Sequence, residues 1–564
     1  MFIFLSILWF FRTSKHILFW IYLWQLKEYH IGRFLDHFET HKGKKLIFNL
    51  LLAVKIILAA IFLFNGKILP YSLYILFLLY FAEFIFLLKA IFANAVKTPK
   101  TTFKTLFLMA ASIGVTILFL LFIALRVKDI ILASTLLLVF DILTPIIVSL
   151  VVLLLQPFFV FLRNRVLAKA KKKIQGFKKL TVIGITGSYG KTSTKEFLTA
   201  IISKKFKTIS TKNHQNSEIG IAKLILSNEF DKFISETRAP EHIENVLGAR
   251  PSTKINFSAP VFVVEMGSYN KGGIKLLCEM VNPKIAVVTG VNEQHLALFG
   301  SLENLLSAEG GGELAVSLPE NGLLVLNGDN KYCLDLYKKA NYLVEERKKI
   351  YSLNKDKINS DIWTEDIIVT EDYVSFLTVD KSGELANFKV NILGRHNIQN
   401  LLAAILVAKE MGMSFEKITE ACNNIHQEQT GITLKKGQRN INIIDSSYSS
   451  NPDGVLADLD YLSVFKGKKI IVMPCLIELG EKSKEIHKKI GEKIGKICDI
   501  CIMTTKDKFD DVKTGAVESG MKEKNIVLYE NSKDIHTMLM LFCREGDAVL
   551  LEGRVPANLI KMLI

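Results

Sequence analysis

The feature that most constrains this chain is a set of long apolar runs confined to its first 162 residues. Segments 46–65, 68–95, 105–126 and 129–162 are each long enough to cross a hydrocarbon core, which takes roughly 20 residues of helix. A further run, 2–26, is interrupted by Arg12-Thr13-Ser14-Lys15 and reads as one span, two half-spans or an interfacial helix. It opens directly on MFIFLSILWFF and more spans follow, so it reads as retained rather than as a cleaved leader. Segment 129–162 contains Asp141 and Pro145 and is either one tilted helix or a hairpin of two. Four to six spans are expected.

Charge follows the same division. Residues 1–165 carry 17 Lys/Arg against 6 Asp/Glu, a net of +11, which leaves only +5 of the total +16 for the other 399 residues. Basic residues that flank apolar runs fit the anionic inner surface of a membrane rather than nucleic acid. Between Arg163 and Lys179 there are eight Lys/Arg and no acid, which marks the cytoplasmic side of the last run. All seven cysteines lie beyond it, in a compartment where thiols stay reduced. Cys498-Asp-Ile-Cys501 lacks a second pair and reads as part of a buried strand, not a metal or redox site. Lys55, Glu83, Lys89 and Asp141 fall within or near the spans. Either they line a transport path, or the lysines snorkel and the acids pair between helices; the second reading is adopted.

At residue 181 the pattern changes to strand, loop and helix. Thr181–Thr186 is β-branched and apolar, Gly187-Ser188-Tyr189-Gly190-Lys191-Thr192-Ser193 is a glycine loop, and TKEFLTAII continues as a helix. Glycines let backbone N–H groups approach phosphates, and the helix N-terminus adds positive potential. Lys191 then reaches the β/γ-phosphates and Thr192 binds Mg²⁺, so a nucleoside triphosphate is the expected ligand and Mg²⁺ the expected ion.

This spacing, TGSYGKTS, resembles the TG[ST]xGKT loop of the Mur ligases, the ATP-dependent amide-forming enzymes of cell-wall synthesis. Further motifs follow in the family's order: Asn216-Ser217-Glu218-Ile219-Gly220, Glu265-Met266-Gly267, Asn292-Glu-Gln-His295-Leu296 with Phe299-Gly300-Ser301, Gly394-Arg395-His396-Asn397 with Asn400, Asp445-Ser-Ser-Tyr448-Ser-Ser-Asn451-Pro452, and Glu478-Leu479-Gly480 with Ser483 and His487. The last two are similar to the branch that adds D-alanyl-D-alanine to a muramyl tripeptide. The resemblance implies Lys191, Glu265 and His295 as catalytic residues and Thr192, Glu265 and His295 as metal ligands. It also implies ATP contacts from Gly187, Ser188, Gly190, Lys191, Thr192, Ser193, Asn292, His396, Asn397 and Asn400, and weaker substrate contacts from Asn216, Ser217, Asp445 and Asn451. Plainer roles stand beside these: a helix cap or salt bridge for Glu265, a core histidine for His295, a cap for Asn397.

The chain departs from the family at several points. The lysine whose carbamate bridges the second metal has no counterpart, since no lysine occurs between Lys284 and Lys331; counting back from Leu318-Pro319 puts Gly311 at its position. Glu309 or Glu313 could supply the anionic oxygen instead. Ser446 replaces the second acid of DDSYNANP, Glu552 replaces the lysine of LKGS, and the usual arginine is missing from Thr430-Gly-Ile432. Membrane helices occupy the place of the uridine-nucleotide domain.

The expected architecture is a helical membrane domain (1–165), an α/β ATP-binding domain with a mainly parallel sheet (166–427, with a β-rich extension at 363–393), and a smaller Rossmann-like α/β domain (428–564), with hinge motion near 425–435. The expected protein is a multi-pass ligase of the bacterial inner membrane with its catalytic domains in the cytoplasm. Its partners are a muramyl peptide, D-alanyl-D-alanine and the bilayer, without nucleic acid; the oligomeric state is left open. Alternatives are a ligase for a lipid-linked or poly-amino-acid acceptor, a non-ligating ATP-binding scaffold, and an ATP-driven transporter.

Overall fold

The computed structural model describes residues 2–64, 69–93, 95–212, 215–236, 260–355, 359–426, 431–448 and 450–564. The chain divides into two compact units, Met1–Asn164 and Arg165–Ile564. Among the described residues, five helices are long and apolar enough to cross a membrane.

Phe2–Leu26 is a single continuous helix, because its polar interruption is met by partners inside the unit. Arg12 lies 3.0 Å from Glu83 and 2.9 Å from Asp141. Lys55 lies 2.7 Å from each of the same two carboxylates, and the Tyr80 hydroxyl donates to Asp141 at 3.3 Å. The acids therefore pair between helices as expected. Lys55 does not snorkel: it is buried and bridged, since two cations meeting two carboxylates cost far less than one lone charge in an apolar interior. Lys89 is exposed, beside the Phe86 ring. Ile130–Gln175 is one helix through both Pro145 and Pro157, not a hairpin. The Ser149 hydroxyl donates to the Pro145 carbonyl at 2.8 Å, a bond back to the preceding turn. Trp9 donates to the Leu137 carbonyl at 2.7 Å and Trp24 to Ser149 at 3.0 Å, zipping the first helix along the last. Gln25 and the Lys100 backbone exchange hydrogen bonds of 3.0 and 2.6 Å, so the end of Phe2–Leu26 and the approach to Phe103–Arg126 lie at one level.

The second unit contains two sheets. The first has nine strands in the order β2-β3-β1-β4-β5-β6-β7-β8-β9: β1 Thr181–Thr186, β2 Thr208–Ser210, β3 Val261–Glu265, β4 Ile285–Val288, β5 Leu323–Asn327, β6 Lys348–Ser352, β7 Ile362–Val369, β8 Val374–Asp380 and β9 Leu385–Val390. Strands β2 to β7 pair in parallel, and β7, β8 and β9 continue the same sheet antiparallel; the extension at 363–393 is its edge. The central strands β1, β3, β4 and β5 are buried throughout, as apolar strands covered on both faces must be. The helix His396–Glu410, buried along its apolar run, lies in the same core as Phe197, Leu198 and Ile201 of the helix Lys191–Ile202.

The second sheet runs β10-β11-β15-β12-β13-β14, with β10 Thr433–Lys436, β11 Asn442–Ser446, β12 Lys469–Met473, β13 Ile500–Met503, β14 Ile526–Leu528 and β15 Ala548–Glu552. All pairings are parallel except β10 with β11, giving the doubly wound pattern. Cys501 lies within β13 and Cys498 just ahead of it, both buried; burial pushes Cys501 up to about 12 and holds Cys498 well above the ordinary thiol value. The expected hinge falls partly outside the described residues, as does Thr430.

Leu401 is fully buried where His396–Glu410 meets the sheet. Leu401→Ala should destabilise the second unit by about 2–5 kcal/mol, measured by urea denaturation of the detergent-solubilised chain.

Candidate active site

The loop after β1 is shaped by steric exclusion. Gly187 has φ +139°, and a Cβ there would stand 2.3 Å from the Thr289 hydroxyl. Gly190 has φ +75°, and its Cβ would stand 2.2 Å from Asn400 Oδ1. Only glycine fits such left-handed, crowded backbone, and the second contact explains why Asn400, distant in sequence, belongs to the site. Ser188 N–H donates to the Gly290 carbonyl at 2.7 Å, and the Ser188 hydroxyl accepts from Asn292 N–H at 3.3 Å. Thr289 donates to the Tyr189 carbonyl. Ser193 is buried in the first helical turn.

Because Ile185 pairs with Glu265 across β1 and β3, the strand end carries the Glu265 carboxylate to the loop. The Thr192 hydroxyl donates to it at 3.0 Å and the Asn216 amide at 3.2 Å. Lys195 Nζ stands 3.4 Å away. Lys195 was not singled out from the sequence; its signal was the spacing of four from Lys191, which puts it one helical turn further on. Ser217 does not reach this group: it caps the helix Glu218–Ile225.

Lys191 donates to the Gly187 carbonyl and reaches Glu309 Oε1 at 3.2 Å. Glu309 Oε2 is 3.1 Å from His295 Nδ1, and His295 Nε2 is 3.5 Å from Glu478 Oε2. Glu309 is 2% exposed; burial pushes its carboxyl up, but Lys191 and His295 outweigh this and hold it below the ordinary value. Glu313 faces elsewhere, accepting from the Gly272 and Lys275 N–H groups at 2.6 and 2.8 Å. Gly311 has φ +88° and a Cβ there would meet Val288 at 2.5 Å, so no side chain fits at the position aligned with the missing lysine. His295 and Glu478 have φ +66° and +68°, conformations that cost non-glycine residues about 1–3 kcal/mol each and persist where the surroundings impose them. Asn292 lies on a loop and His295 at the left-handed start of the turn Leu296–Phe299.

The second sheet's loops close the site. Asn292 donates to Asn451 Oδ1 at 3.1 Å and Asp453 Oδ2 at 2.9 Å, Gln294 to the Ser450 carbonyl at 3.1 Å, and Ala297 N–H to the Glu478 carbonyl at 3.3 Å. Asp453, also missed in the sequence, follows directly on Asn451-Pro452. Asp445 stands apart, accepting from Ser447 at 2.6 Å. His396 lies at the mouth of its helix, 3.9 Å from Asp458; burial lowers its imidazole pKa. Asn397 is not the helix cap: it donates to the Leu393 carbonyl at 2.8 Å and accepts from Asn400 at 3.0 Å.

The oxygen set around Thr192 and Glu265 fits Mg²⁺, a hard cation usually held by one or two carboxylates together with substrate phosphates. Among the described residues no group of three or more His, Cys, Asp or Glu is arranged to hold a metal by itself. His295 fits a second ion less directly, because both its nitrogens face carboxylates.

Residues 185–408 match the Mur ligase middle domain and 432–555 the Mur ligase glutamate ligase domain, together more than half of the chain. The chain belongs to the Mur ligase family. It is 28% identical over 412 residues to the UDP-N-acetylmuramoyl-tripeptide–D-alanyl-D-alanine ligase of Bacillus subtilis, covering 71% of this chain and 78% of that protein. The Escherichia coli protein of the same name is 27% identical over 311 residues, covering 55% and 61%. Crystal structures of MurF from Acinetobacter baumannii (TM-score 0.58, 19% identity, covering 71% and 80%) and of MurF from Thermotoga maritima in complex with ADP (0.57, 22%, 71% and 83%) share the fold.

Two departures of this Mur ligase are neighbours, for Ser446 and Glu552 pair in register on β11 and β15. Ser446 donates to Asp458 at 2.6 Å, and Glu552 is buried beside them, its carboxyl pushed well above the ordinary value by desolvation and by Asp458. A raised folded-state pKa gives stability that is present below the ordinary carboxylate range and lost as pH rises toward the raised value. Glu552→Gln, which keeps the neutral shape, should therefore raise the melting temperature more at pH 8 than at pH 5, checked by thermal unfolding at both.

Proposed function

We propose that this chain is a membrane-embedded, ATP-dependent ligase that joins D-alanyl-D-alanine to a muramyl tripeptide. The observation that carries the reading is the continuous contact Lys191–Glu309–His295–Glu478, which links the phosphate loop to the last domain's ELG segment. Amide formation from ATP requires a substrate carboxylate to take the γ-phosphoryl group and an amine to displace it. Loop N–H groups and Lys191 face the charge on the transferring phosphoryl group. Bound Mg²⁺, held by Thr192 and Glu265, would neutralise phosphate oxygens. Glu309 fixes the Lys191 ammonium and the His295 ring with a permanent carboxylate, where the resembling enzymes use a carbamylated lysine. His396, Asn397 and Asn400 are assigned to the nucleoside side, and Asn451 and Asp453 hold Asn292 so that the last domain is seated over the loop.

Purified full-length chain, given ATP, Mg²⁺, UDP-muramyl-tripeptide and D-alanyl-D-alanine, should release phosphate and form pentapeptide. Lys191→Ala and Glu309→Gln should each lower kcat by more than about 100-fold, and product formation should be unchanged in buffer purged of CO₂. Loss of activity on purging, or an active Glu309→Gln, would remove Glu309 from this role. The membrane helices standing before the Mur domains favour a second acceptor, the same peptide on a lipid carrier. Product only with the lipid-linked peptide would select it.

We also infer that the five membrane-length helices are transmembrane and place the Mur domains in the cytoplasm. Three segments cluster the basic residues: 27–49 holds five Lys/Arg, 93–104 three and 163–179 eight, against only Lys67, Arg126 and Lys128 in the alternate connections. With five spans the Phe2 end of the first helix then faces away from the cytoplasm. In intact cells, a thiol at Lys128→Cys should react with an impermeant reagent and one at Lys100→Cys should not; the opposite pattern would invert the topology.

A further inference from the structure

At the end of the first unit where Gln25 meets Lys100, two cations, Lys104 and Arg163, stand near each other. Lys104 Nζ lies 3.6 Å from the Tyr29 ring centroid and 5.1 Å from that of Phe159, and bonds Gln156 at 3.2 Å. Arg163, one turn beyond Phe159, lies within electrostatic reach of Lys104 and bonds Asn164 at 3.3 Å. Among the described residues neither cation forms an ion pair with an acid. Tyr29, with φ +58°, follows Glu28 with φ +54°, so a strained two-residue turn holds the ring under the ammonium; its hydroxyl is enclosed and has no hydrogen-bond partner among the described residues.

Like charges brought together without a counter-ion are stabilised by binding an anion. Running from this cation pair is an apolar track: Phe103 packs on Phe107 at 6.3 Å and Phe107 on Phe158 at 5.7 Å, and all three rings remain exposed. A pair of cations beside an exposed aromatic track, at the basic end of an apolar helical unit, is complementary to a molecule with a phosphate head and a long hydrocarbon chain. We propose that Lys104 and Arg163 bind the phosphate of an anionic membrane lipid whose chain lies along Phe103, Phe107 and Phe158. This rests on the reading that the first unit spans a bilayer. The headgroup would fill the level at which the basic segment 163–179 leaves the membrane.

The full-length chain, purified in detergent, would be titrated with mixed micelles containing a fluorescent phosphatidylglycerol or the matching phosphatidylcholine. Phosphatidylglycerol should bind at least about tenfold more tightly, a difference of about 1.4 kcal/mol. Lys104→Ala and Arg163→Ala should each reduce that preference to less than threefold, whereas Lys104→Arg should keep it. Comparable melting temperatures would show that the variants fold. Equal binding of the two lipids, or a preference untouched in both alanine variants, overturns the proposal while leaving the membrane reading intact. Displacement by millimolar inorganic phosphate would make this a site for the free anion and also overturn it. A chain that stays soluble after detergent removal would overturn the membrane reading itself.

Discussion

The buried carboxylate of Glu309 is the contact on which the catalytic half of this molecule depends. It sits between a lysine from the phosphate loop and a histidine from the loop after β4, and it is nearly inaccessible to solvent. Removing a carboxylate from water is expensive unless opposing charges and hydrogen bonds replace the lost hydration. Here two partners do so from opposite sides, and the balance keeps the group ionised. The same contact fixes Lys191, a flexible four-carbon chain that would otherwise spend rotamer entropy on reaching its target. A carboxylate provided by the polypeptide gives this arrangement without a modification that must form and survive.

Backbone shape makes room for it. Gly311 must be glycine, because its left-handed φ and the approach of Val288 leave no space for a side chain. The segment therefore turns two residues after Glu309 and aims Glu313 at the helix Gly273–Val281 instead. The substitution of the expected lysine and the presence of Glu309 are thus one structural solution. The left-handed His295 and Glu478 extend it, since each faces the other across the seam between the two sheets.

Much of the second unit was legible because local signals agreed with one another. The run TVIGIT gave β1 at its observed limits, and the glycine loop followed by a good helix former gave the turn into Lys191–Ile202. The C-terminal strands were visible as short apolar runs between helical segments. What could not be read was spatial. Nothing local tells that Lys195 faces Glu265, that Asp453 receives Asn292, or which of Glu309 and Glu313 points inward; those depend on strand register and on the direction of a turn. In the first unit, composition revealed the apolar lengths but not that Pro145 lies within a continuous helix, because a proline in an apolar run can either kink a helix or end it.

The two buried charge clusters obey one rule. In the first unit, Arg12 and Lys55 share Glu83 and Asp141, so the formal charges cancel and the group can sit among apolar helices. In the second unit, Lys191, Glu309, His295 and Glu478 alternate nitrogen and carboxylate groups, and Lys191 opens a helix directly after the glycine loop. The difference separates their capacities. A closed, neutral cluster serves to fix which helices meet. A lysine at a helix N-terminus beside a glycine loop stands in the setting that accepts phosphate.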